Sequence, residues 1–387
     1  MLNSKPTVLH VLHDAGGGIA KHVVELGALL GSNINSLTIM PVNTNGKKLL
    51  LICSAKSSDL QLNLKIDEKE AYQVLAQLNI SLIHIHHLIG HIPLTFLLLN
   101  QNLGIPFYIT VHDYTLVCPQ INFVNSWGKY CNESTDTTTC NNCLSVGNQF
   151  QCKDIDAWRK ELACIFNKAA KVICPSIDAL LKIKKYHPTA NCIVAAHDQI
   201  VNTLVAVPNI KPGDTLRIAV LGEITYIKGN KVVEQLVKLA REYKAKLHIT
   251  VIGQVVGEVV IKPDEYYKET GVYNDANLLK IIDSVNPHVI LFTAICPETY
   301  SYTLSTAIES QRPIITPDFG AFPERVSDRA WTWVFKHTDP VEQLFNLLNK
   351  IREENFYKQL APKAYTFNTT EKITVNFYAN GYLHDCL

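Results

Sequence analysis

The chain has 387 residues, of which 47% are hydrophobic and 18% are charged, and its formal net charge is +1. This length exceeds that of one ordinary domain, so two domains are expected. The near-zero charge lacks the basic excess of nucleic-acid binders, which excludes DNA and RNA as expected partners.

The first half of the chain alternates short apolar runs with helical patterns. The apolar runs predict buried strands at 7–13, 81–87, 106–111 and 171–174. Apolar residues spaced by three and four positions predict helices at 19–30, 67–79 and 154–170. The segment VPNIKPGDT at 207–215 is rich in proline, glycine and polar residues, which predicts a linker.

The same alternation restarts after the linker. Strand patterns occur in LRIAVLG, LHITVIG, HVILFTA and PIITP, and helical patterns lie between them. Strand, helix and strand repeated in both halves predict an α/β protein with two Rossmann-like, doubly wound parallel-sheet domains that face a cleft.

Two glycine-containing turns join a strand to a helix, one in each half. In HDAGGGIAKHVVEL the glycines 16–18 allow backbone amides and a helix N-terminus to approach an anion, although a tight turn that needs positive φ angles explains them equally well. In LGEITYIKGNKVV, Lys228 stands where an ammonium group pairs with phosphate oxygens, and an ordinary surface lysine is the alternative. The spaced G-x-G-x-x-G fingerprint is absent, which disfavours a nicotinamide dehydrogenase.

The N-terminal sequence and the cysteine content both favour a cytoplasmic protein. TVLHVLH is too short and too rich in histidine for a signal peptide, and no apolar run reaches transmembrane length. The eleven cysteines are then expected to be reduced thiols or metal ligands, because the cytosol does not sustain a disulfide framework.

Four elements in this order resemble GT-B fold glycosyltransferases of family 4, which are retaining nucleotide-sugar enzymes. They are GGGIAKHV, YITVHDY, LGEITYIKG and PETYSYTLSTAIESQRPIITPDFGAFPERV. The last is most similar to bacterial members that assemble surface polysaccharides or O-antigen. The resemblance implies an N-terminal acceptor-side domain at 1–206, a nucleotide-sugar domain at 207–365, and a C-terminal segment at 366–387 that packs back on the N-terminal domain.

The resemblance also assigns roles to individual residues. It implies that Gly17 and Gly18 lie against the donor and that His112 stands beside the transferred sugar as a catalytic residue, although a histidine satisfied by local backbone is the alternative. Lys228 matches the pyrophosphate lysine, and Glu298 matches the first acid of an E-x7-E element that holds sugar hydroxyls. The turn of Thr299, Tyr300 and Ser301 would present backbone amides to the diphosphate. Three nearby residues have no assigned role: His86, His87 and Asp113.

The implied reaction moves a glycosyl group from a nucleotide diphosphate sugar to a glycan or lipid-linked glycan acceptor with retention. Front-face attack assisted by the leaving phosphate is implied, so no covalent nucleophile and no metal cofactor are expected for catalysis. Peripheral association with the inner face of the membrane or with a polysaccharide assembly complex is a further expectation.

Two positions depart from the family pattern. Glu223 replaces the usual arginine after the glycine, and Lys231 one turn beyond Lys228 is a replacement cation to consider. Thr306 occupies the position of the ribose-binding acid, and Glu309 lies three residues later. These departures leave open two further hypotheses, a catalytically impaired donor-binding partner subunit and a GT-B nucleotide-sugar epimerase.

A cysteine group forms a separate feature in the predicted insertion at about 115–152. The group comprises Cys118, Cys131, Cys140 and Cys143, and its terminal C-x-x-C spacing fits tetrahedral zinc. Reduced thiols in a long insertion and an oxidised pair are together about as well supported by the sequence. If zinc binds, we expect it to have a structural role.

Overall fold

The structure, a computed structural model, describes residues 5–14, 16–55, 62–91, 96, 100–198 and 204–386. The chain divides into two compact units. Unit 1 consists of Met1–Pro119, Asp154–His197 and Glu371–Leu387, and unit 2 consists of Gln120–Lys153 and Asp198–Thr370.

These units differ from the predicted domain ranges in one large respect. The cysteine-containing segment was predicted as an insertion of the N-terminal domain, but Gln120–Lys153 groups with unit 2. Two contacts join this segment to the rest of unit 2. The hydroxyl of Tyr226 donates to the carbonyl of Gly128 at 2.8 Å, and the rings of Tyr130 and Phe319 are 5.6 Å apart.

The sheet of unit 1 has eight strands in the described residues, in the order β4-β3-β2-β1-β5-β6-β7-β8. The strands are β1 Thr7–Val11, β2 Asn35–Thr44, β3 Lys47–Ser54, β4 Asn63–Ile66, β5 Ile80–Ile85, β6 Phe107–Thr110, β7 Lys171–Cys174 and β8 Cys192–Val194. The pairs β2–β3 and β3–β4 are antiparallel and the other pairs are parallel. The antiparallel edge was not predicted.

The sheet of unit 2 has six strands in the described residues, all parallel, in the Rossmann order β11-β10-β9-β12-β13-β14. The strands are β9 Leu216–Ile224, β10 Leu247–Val255, β11 Tyr267–Glu269, β12 Val289–Leu291, β13 Ile314–Pro317 and β14 Thr332–Phe335. The predicted α/β class with two Rossmann-like units is confirmed.

Helices separate most of the strands, as the apolar spacing predicts. The α-helices are α1 Gly17–Leu30, α2 Glu68–Gln77, α3 Thr137–Val146, α4 Ile155–Lys168, α5 Ile177–Tyr186, α6 Asn230–Glu242, α7 Leu278–Val285, α8 Tyr302–Glu309, α9 Phe322–Arg325 and α10 Val341–Lys350. Short 3₁₀ or π turns occur at Gly31–Asn33, Asp275–Asn277, Ile351–Phe356, Phe377–Gly381 and His384–Cys386. Within the described ranges, none of these helices combines the length and apolar character that a membrane span requires.

Strand order reverses once in each sheet, between β1 and β5 in unit 1 and between β9 and β12 in unit 2. Ligands of doubly wound sheets bind outside the carboxyl ends of the strands at such switch points. The residues that follow these four strands are therefore the first place to look for a site.

Candidate functional site

The turn after β9 brings Lys228 to the carboxyl edge of the second sheet. Its Nζ lies 4.0 Å from Oε1 of Glu298, and 37% of the lysine side chain is exposed. Thr293, two residues beyond β12, holds the turn because its Oγ1 donates to the carbonyl of Lys228 at 2.7 Å. Gly229 has φ of 86°, and a Cβ there would lie 1.9 Å from the carbonyl oxygen of Thr293. A cation and a carboxylate are thus held together at the switch point of unit 2.

Glu298 is fixed through its backbone by the turn that contains Gly320. Gly320 has φ of 64°, and a Cβ there would lie 2.7 Å from the amide nitrogen of Glu298. The amide of Ala321 donates to the carbonyl of Glu298 at 2.9 Å. A narrow cavity beside the carboxylate is also lined by Lys228 and Thr303.

Arg325 holds the turn of Thr299–Ser301 that precedes α8. Its Nη1 donates to the carbonyls of Tyr300 and Ser301 at 2.9 and 2.7 Å, and its Nη2 donates to Oγ of Ser305 at 2.8 Å. The guanidinium also lies 3.9 Å from the centroid of the Tyr300 ring. Burial raises the pKa of the Tyr300 hydroxyl. The Tyr300 side chain therefore packs against Arg325. A ligand at this turn would contact the backbone of Thr299–Ser301.

Ser301 has the unusual φ of 73° at the residue before α8, and its side chain makes no capping hydrogen bond to the helix. Positive φ is costly for a residue that is not glycine, and such strain concentrates at ligand sites. The positive end of the α8 dipole lies at this strained turn, which suits an anion.

The narrow cavity beside Glu298 is not lined by Glu223, Thr306, Glu309 or Lys231. Thr306 is half-buried on α8, and Glu309 is exposed as the last residue of that helix. Glu223 is exposed near the end of β9. Lys231 is also exposed and lines a different cavity of about 1030 Å³, not the narrow cavity beside Glu298.

The predicted residues of unit 1 lie at the other switch point. Gly17 and Gly18 are exposed in the first turn of α1, and Gly17 has φ of 70°. A Cβ on Gly17 would meet no described atom within 4 Å, so a lack of space for a side chain is not the reason for a glycine here. His112 follows β6 by two residues, is half-buried, and lies in a group with the buried His22 and His86.

Register explains why these histidines meet. His10 of β1 pairs with His84 of β5, and His84 pairs with Tyr108 of β6. Side chains alternate between the faces of a sheet, so residues an even number of positions apart share a face. His86 comes two residues after His84, and His112 comes four residues after Tyr108, so both lie on the face of His84. His22 lies on the buried face of α1, and His197 follows β8. We call these six residues the histidine cluster: His10, His22, His84, His86, His112 and His197.

Hydrogen bonds connect three members of this cluster to one another. Nδ1 of His10 lies 3.1 Å from Nε2 of His86, and Nδ1 of His86 lies 3.1 Å from Nε2 of His112. His84 contacts the hydroxyl of Tyr382 at 2.6 Å and Oγ1 of Thr110 at 2.7 Å. By contrast, both ring nitrogens of the buried His22 have no hydrogen-bond partner among the described residues.

Burial keeps five rings of the cluster uncharged, namely those of His10, His22, His84, His86 and His112. It lowers the pKa of His10 to about 4, and burial together with repulsion from His10 lowers the pKa of His22 to about 3. Burial, followed by the neighbouring histidines, holds the pKa values of His84, His86 and His112 well below their usual range. At neutral pH each imidazole therefore carries one N–H and one lone pair.

Asp113 and His87 form a separate pair beside the cluster. Nε2 of His87 lies 2.9 Å from Oδ2 of Asp113, and the amide of Thr115 donates to Oδ1 at 2.8 Å. Burial alone would raise the pKa of Asp113, but the bonds from His87 and Thr115 outweigh it and lower the pKa. The aspartate therefore stays charged at neutral pH and orients His87.

Three of the four predicted zinc ligands lie in unit 2, and Cys118 falls in unit 1. The amide of Ser126 donates to Sγ of Cys143 at 3.3 Å, and Sγ of Cys140 donates to the carbonyl of Ser134 at 3.4 Å. Burial raises the pKa of Cys131, and Cys140 and Cys143 add to this as neighbouring thiols. In the described part of the chain, however, the groups whose ligand atoms all lie within 4.8 Å of one another consist of histidines.

A scan against family models and a search of curated proteins both find no match to this sequence. Solved structures do match over most of the chain. Sucrose-phosphate synthase (tll1590) from Thermosynechococcus elongatus is 12% identical, with a TM-score of 0.59, and the match covers 92% of this chain and 91% of that one. Anabaena Alr3699/HepE in complex with UDP-glucose is 12% identical, with a TM-score of 0.58 and 90% of each chain covered.

The lipopolysaccharide outer core galactosyltransferase WaaB in its apo form matches similarly. It is 12% identical, with a TM-score of 0.56, and the match covers 92% of this chain and 96% of that one. At identities this low the similarity concerns the fold, and it confirms the predicted GT-B class.

Proposed function

We propose that this protein is a glycosyltransferase that moves a sugar from a nucleotide diphosphate sugar to an acceptor hydroxyl with retention. The observation that carries the proposal is the Lys228–Glu298 pair at the switch point of unit 2, beside the N-terminus of α8. The fold similarity to Anabaena Alr3699/HepE in complex with UDP-glucose supports a nucleotide-sugar donor.

In this proposal the donor separates Lys228 from Glu298, and each residue then contacts a different part of the donor. Lys228 and Glu298 are 4.0 Å apart and partly neutralise each other. Diphosphate oxygens would draw the ammonium group of Lys228, which leaves the carboxylate of Glu298 to accept hydrogen bonds from sugar hydroxyls. Each charge then has a partner in the bound state.

The barrier of this reaction is largely charge separation, because negative charge grows on the leaving diphosphate. Lys228 and the positive end of α8 are fixed donors at that position, and preorganised electrostatic stabilisation is usually the largest contribution to catalysis. Arg325 acts as a positioning residue, because it fixes the carbonyls of Tyr300 and Ser301. No covalent residue and no metal ion are assigned to the reaction.

The roles of Gly17, Gly18 and His112 rest on the family resemblance and stay predictions. The same is true of the biological setting, which we propose is the assembly of bacterial surface polysaccharide or O-antigen on a glycan or lipid-linked acceptor. A cytoplasmic location, with peripheral association at the inner face of the membrane, fits such an acceptor. Flotation of the purified protein with and without vesicles of anionic lipid tests the association.

Turnover and binding must be measured separately. The purified chain is screened against nucleotide sugars by calorimetry, and each binder is then incubated with and without an oligosaccharide acceptor. Proton NMR of the product reads the anomeric configuration. Transfer with retained configuration supports the proposal, and binding of no nucleotide sugar at any accessible concentration contradicts it.

A donor-binding partner subunit is the second candidate, because Glu223 and Thr306 stand where the family has an arginine and an acid. It predicts donor binding without transfer. A nucleotide-sugar epimerase would convert the donor without any acceptor, so the acceptor-free incubation identifies that third activity.

We also propose that Cys131, Cys140 and Cys143, which lie in unit 2, bind a structural zinc ion. The participation of Cys118 stays a prediction from the sequence. Support comes from the C-x-x-C spacing and from the amide of Ser126 that donates to Sγ of Cys143, since such N–H bonds stabilise a thiolate. Reduced protein should contain close to one thiolate-bound zinc per chain, lost in the Cys140→Ser, Cys143→Ser double variant, whereas Cys164→Ser should retain it. Thiolate-bound cobalt gives an intense near-ultraviolet band, and its absence from the wild-type chain would exclude this site.

A further inference from the structure

The histidine cluster contains more ring nitrogens than its own hydrogen bonds use. Two groups of three have ligand atoms within 4.8 Å of one another, namely His10, His84 and His86, and His22, His86 and His112. In the first group both nitrogens of His84 already contact hydroxyl groups. In the second group both nitrogens of His22 lack a partner in the described chain, although the ring is 1% exposed. The first group has one such nitrogen, Nε2 of His10, and the second has two, so the second group has more nitrogens to spare.

We propose that His22, His86 and His112 bind a divalent transition-metal ion, with zinc as the expected metal. Nδ1 of His86 and Nε2 of His112 are 3.1 Å apart. Two imidazole nitrogens that share a tetrahedral zinc at about 2.0–2.1 Å stand about 3.3–3.4 Å apart, so small shifts suffice. A nitrogen of His22 lies within 4.8 Å of both and supplies the third ligand.

His10 provides the outer support that such a site requires. A metal-bound histidine usually donates its other N–H to a neighbouring acceptor, which fixes the tautomer. Nε2 of His86 lies 3.1 Å from Nδ1 of His10. In the tautomer that carries its N–H on Nε2, His86 donates to His10, and its Nδ1 has the lone pair for the metal. The bond between His86 and His112 would then be replaced by two bonds to the ion.

A fourth position is available near His197. Its ring centroid lies 4.1 Å from that of His22 and 5.1 Å from that of His112. Either this imidazole or a water molecule completes four-coordination. The three histidine ligands are imidazole nitrogens, which suit zinc and related ions and not magnesium or calcium, because the latter prefer oxygen.

The place in the fold is consistent with a ligand site. His10 and His86 come from β1 and from just beyond β5, the strands between which the order of the first sheet reverses. All the named ligands belong to unit 1, and the Lys228–Glu298 pair that carries the transferase proposal is not among them. The two proposals share only His112, because a ring nitrogen bound to the ion cannot also contact a sugar. Absence of the ion therefore leaves the argument from Lys228 and Glu298 intact, and absence of transferase activity leaves the metal site intact.

The test uses the full chain with Cys140→Ser and Cys143→Ser, so that the cysteine group does not obscure the result. After chelator treatment, zinc binding is measured by competition with a chromophoric chelator, and cobalt binding is measured by visible absorption. We expect one ion per chain, a tetrahedral cobalt spectrum without the thiolate band, and X-ray absorption that shows only nitrogen or oxygen neighbours at about 2.0–2.1 Å.

Variants then locate the site. His22→Ala should abolish binding of this ion, and His10→Ala should weaken it about 10- to 100-fold, the range for loss of an outer-shell partner. His187→Ala is the matched control, because His187 is also buried in unit 1 but stacks on Phe166, outside the cluster. Circular dichroism verifies that each variant is folded.

The absence of any bound ion in the cysteine variant would overturn the proposal, as would binding that His22→Ala leaves unchanged. If His22→Ala does not fold, the X-ray absorption of the cysteine variant alone decides, because sulfur at about 2.3 Å or a purely oxygen shell would be incompatible with three imidazoles.

Discussion

The two switch points occupy equivalent places in their sheets and contain opposite chemistry. In unit 2 the residues beyond β9 and β12 place Lys228, more than a third exposed, next to Glu298. In unit 1 the corresponding position contains His10 and His84, which are completely buried and uncharged. The difference teaches that the same topology places partly exposed charges at one switch point and buried, hydrogen-bonded side chains at the other. Substitutions in the first should change affinity, and substitutions in the second should change stability.

The largest effect is expected for His84→Ala. This side chain is 0% exposed and bonds to Tyr382 and Thr110, so its removal leaves a cavity and two unpaired hydroxyl groups. We expect the free energy of unfolding to fall by about 3 kcal/mol. Urea denaturation measures it. A loss below about 0.5 kcal/mol, typical of a surface site, would mean that the cluster is not the packed element described here.

Substitutions at the switch point of unit 2 should change donor affinity and not the unfolding free energy. Lys228→Ala and Glu298→Ala should each weaken donor binding by about 1–3 kcal/mol, roughly 5- to 150-fold, with little change in the unfolding free energy. Lys238→Ala on α6 removes the same charge from an exposed position and serves as the control. Calorimetric affinities that match wild type in both site variants would remove the proposed donor site, and a fully active Glu298→Ala enzyme would do the same.

The pH dependence of the unfolding free energy distinguishes buried histidines from exposed charged residues. Unit 2 also contains a buried histidine outside its switch point, His288, whose Nδ1 accepts a hydrogen bond from the amide of Arg217 at 3.0 Å. Burial, with repulsion from Arg217, lowers the pKa of His288 to about 4. The unfolded chain therefore binds this proton first, so stability is complete above about pH 6.5 and decreases as the pH falls towards 4.

We expect His288 to contribute at most about 1.4 kcal/mol per pH unit in this window. The His288→Gln variant should therefore show a shallower loss of unfolding free energy between about pH 7 and about pH 5 than wild type. An identical pH slope in the two proteins would show that His288 titrates normally.

The smallest effect concerns α8. Glu309 is exposed at the end of the helix, one turn beyond Thr306, and a turn is about 5.4 Å long. Glu309→Ala should therefore leave donor affinity unchanged, and Thr306→Glu should increase it by about 1 kcal/mol through one new charged hydrogen bond. Calorimetry with the same donor compares the two. Weaker binding in Glu309→Ala would instead show that Glu309 has taken over the ribose contact.

The fold could be predicted from the sequence because its signals are local. Apolar runs and three-four spacing mark β1, β5, β6, β7 and the helices between them, whereas the antiparallel edge strands β3 and β4 are partly polar and were missed. Lys228 and Glu298 could be named because each stands in a recognisable turn. Their separation of 4.0 Å could not be predicted. It depends on Thr293, which contacts the backbone of Lys228, and on Gly320, which contacts the backbone of Glu298, and both contacts join residues distant in sequence.

The histidine cluster shows a different limit. A period of two in LIHIH indicates that His84 and His86 share a face, but only the register of β1 with β5 and of β5 with β6 brings in His10 and His112. His22 lies on helix α1, and the residues around it in the sequence do not indicate that it packs against polar side chains. Sequence patterns identify such residues one at a time, and packing decides which of them meet.

Arg325 has a consequence for the polarity of the turn that it holds. A trans peptide unit is planar, and its C=O and N–H bonds point in opposite directions. Because the carbonyls of Tyr300 and Ser301 face the guanidinium, the N–H bonds of Ser301 and Tyr302 face away from it. One half-buried cation thus orients the dipoles of two successive peptide planes, with the oxygens towards the guanidinium and the N–H bonds away from it. A lysine would keep the charge but lacks the planar fork that reaches two carbonyls and a hydroxyl at once, so the orientation of these planes depends on the shape of the arginine as much as on its charge.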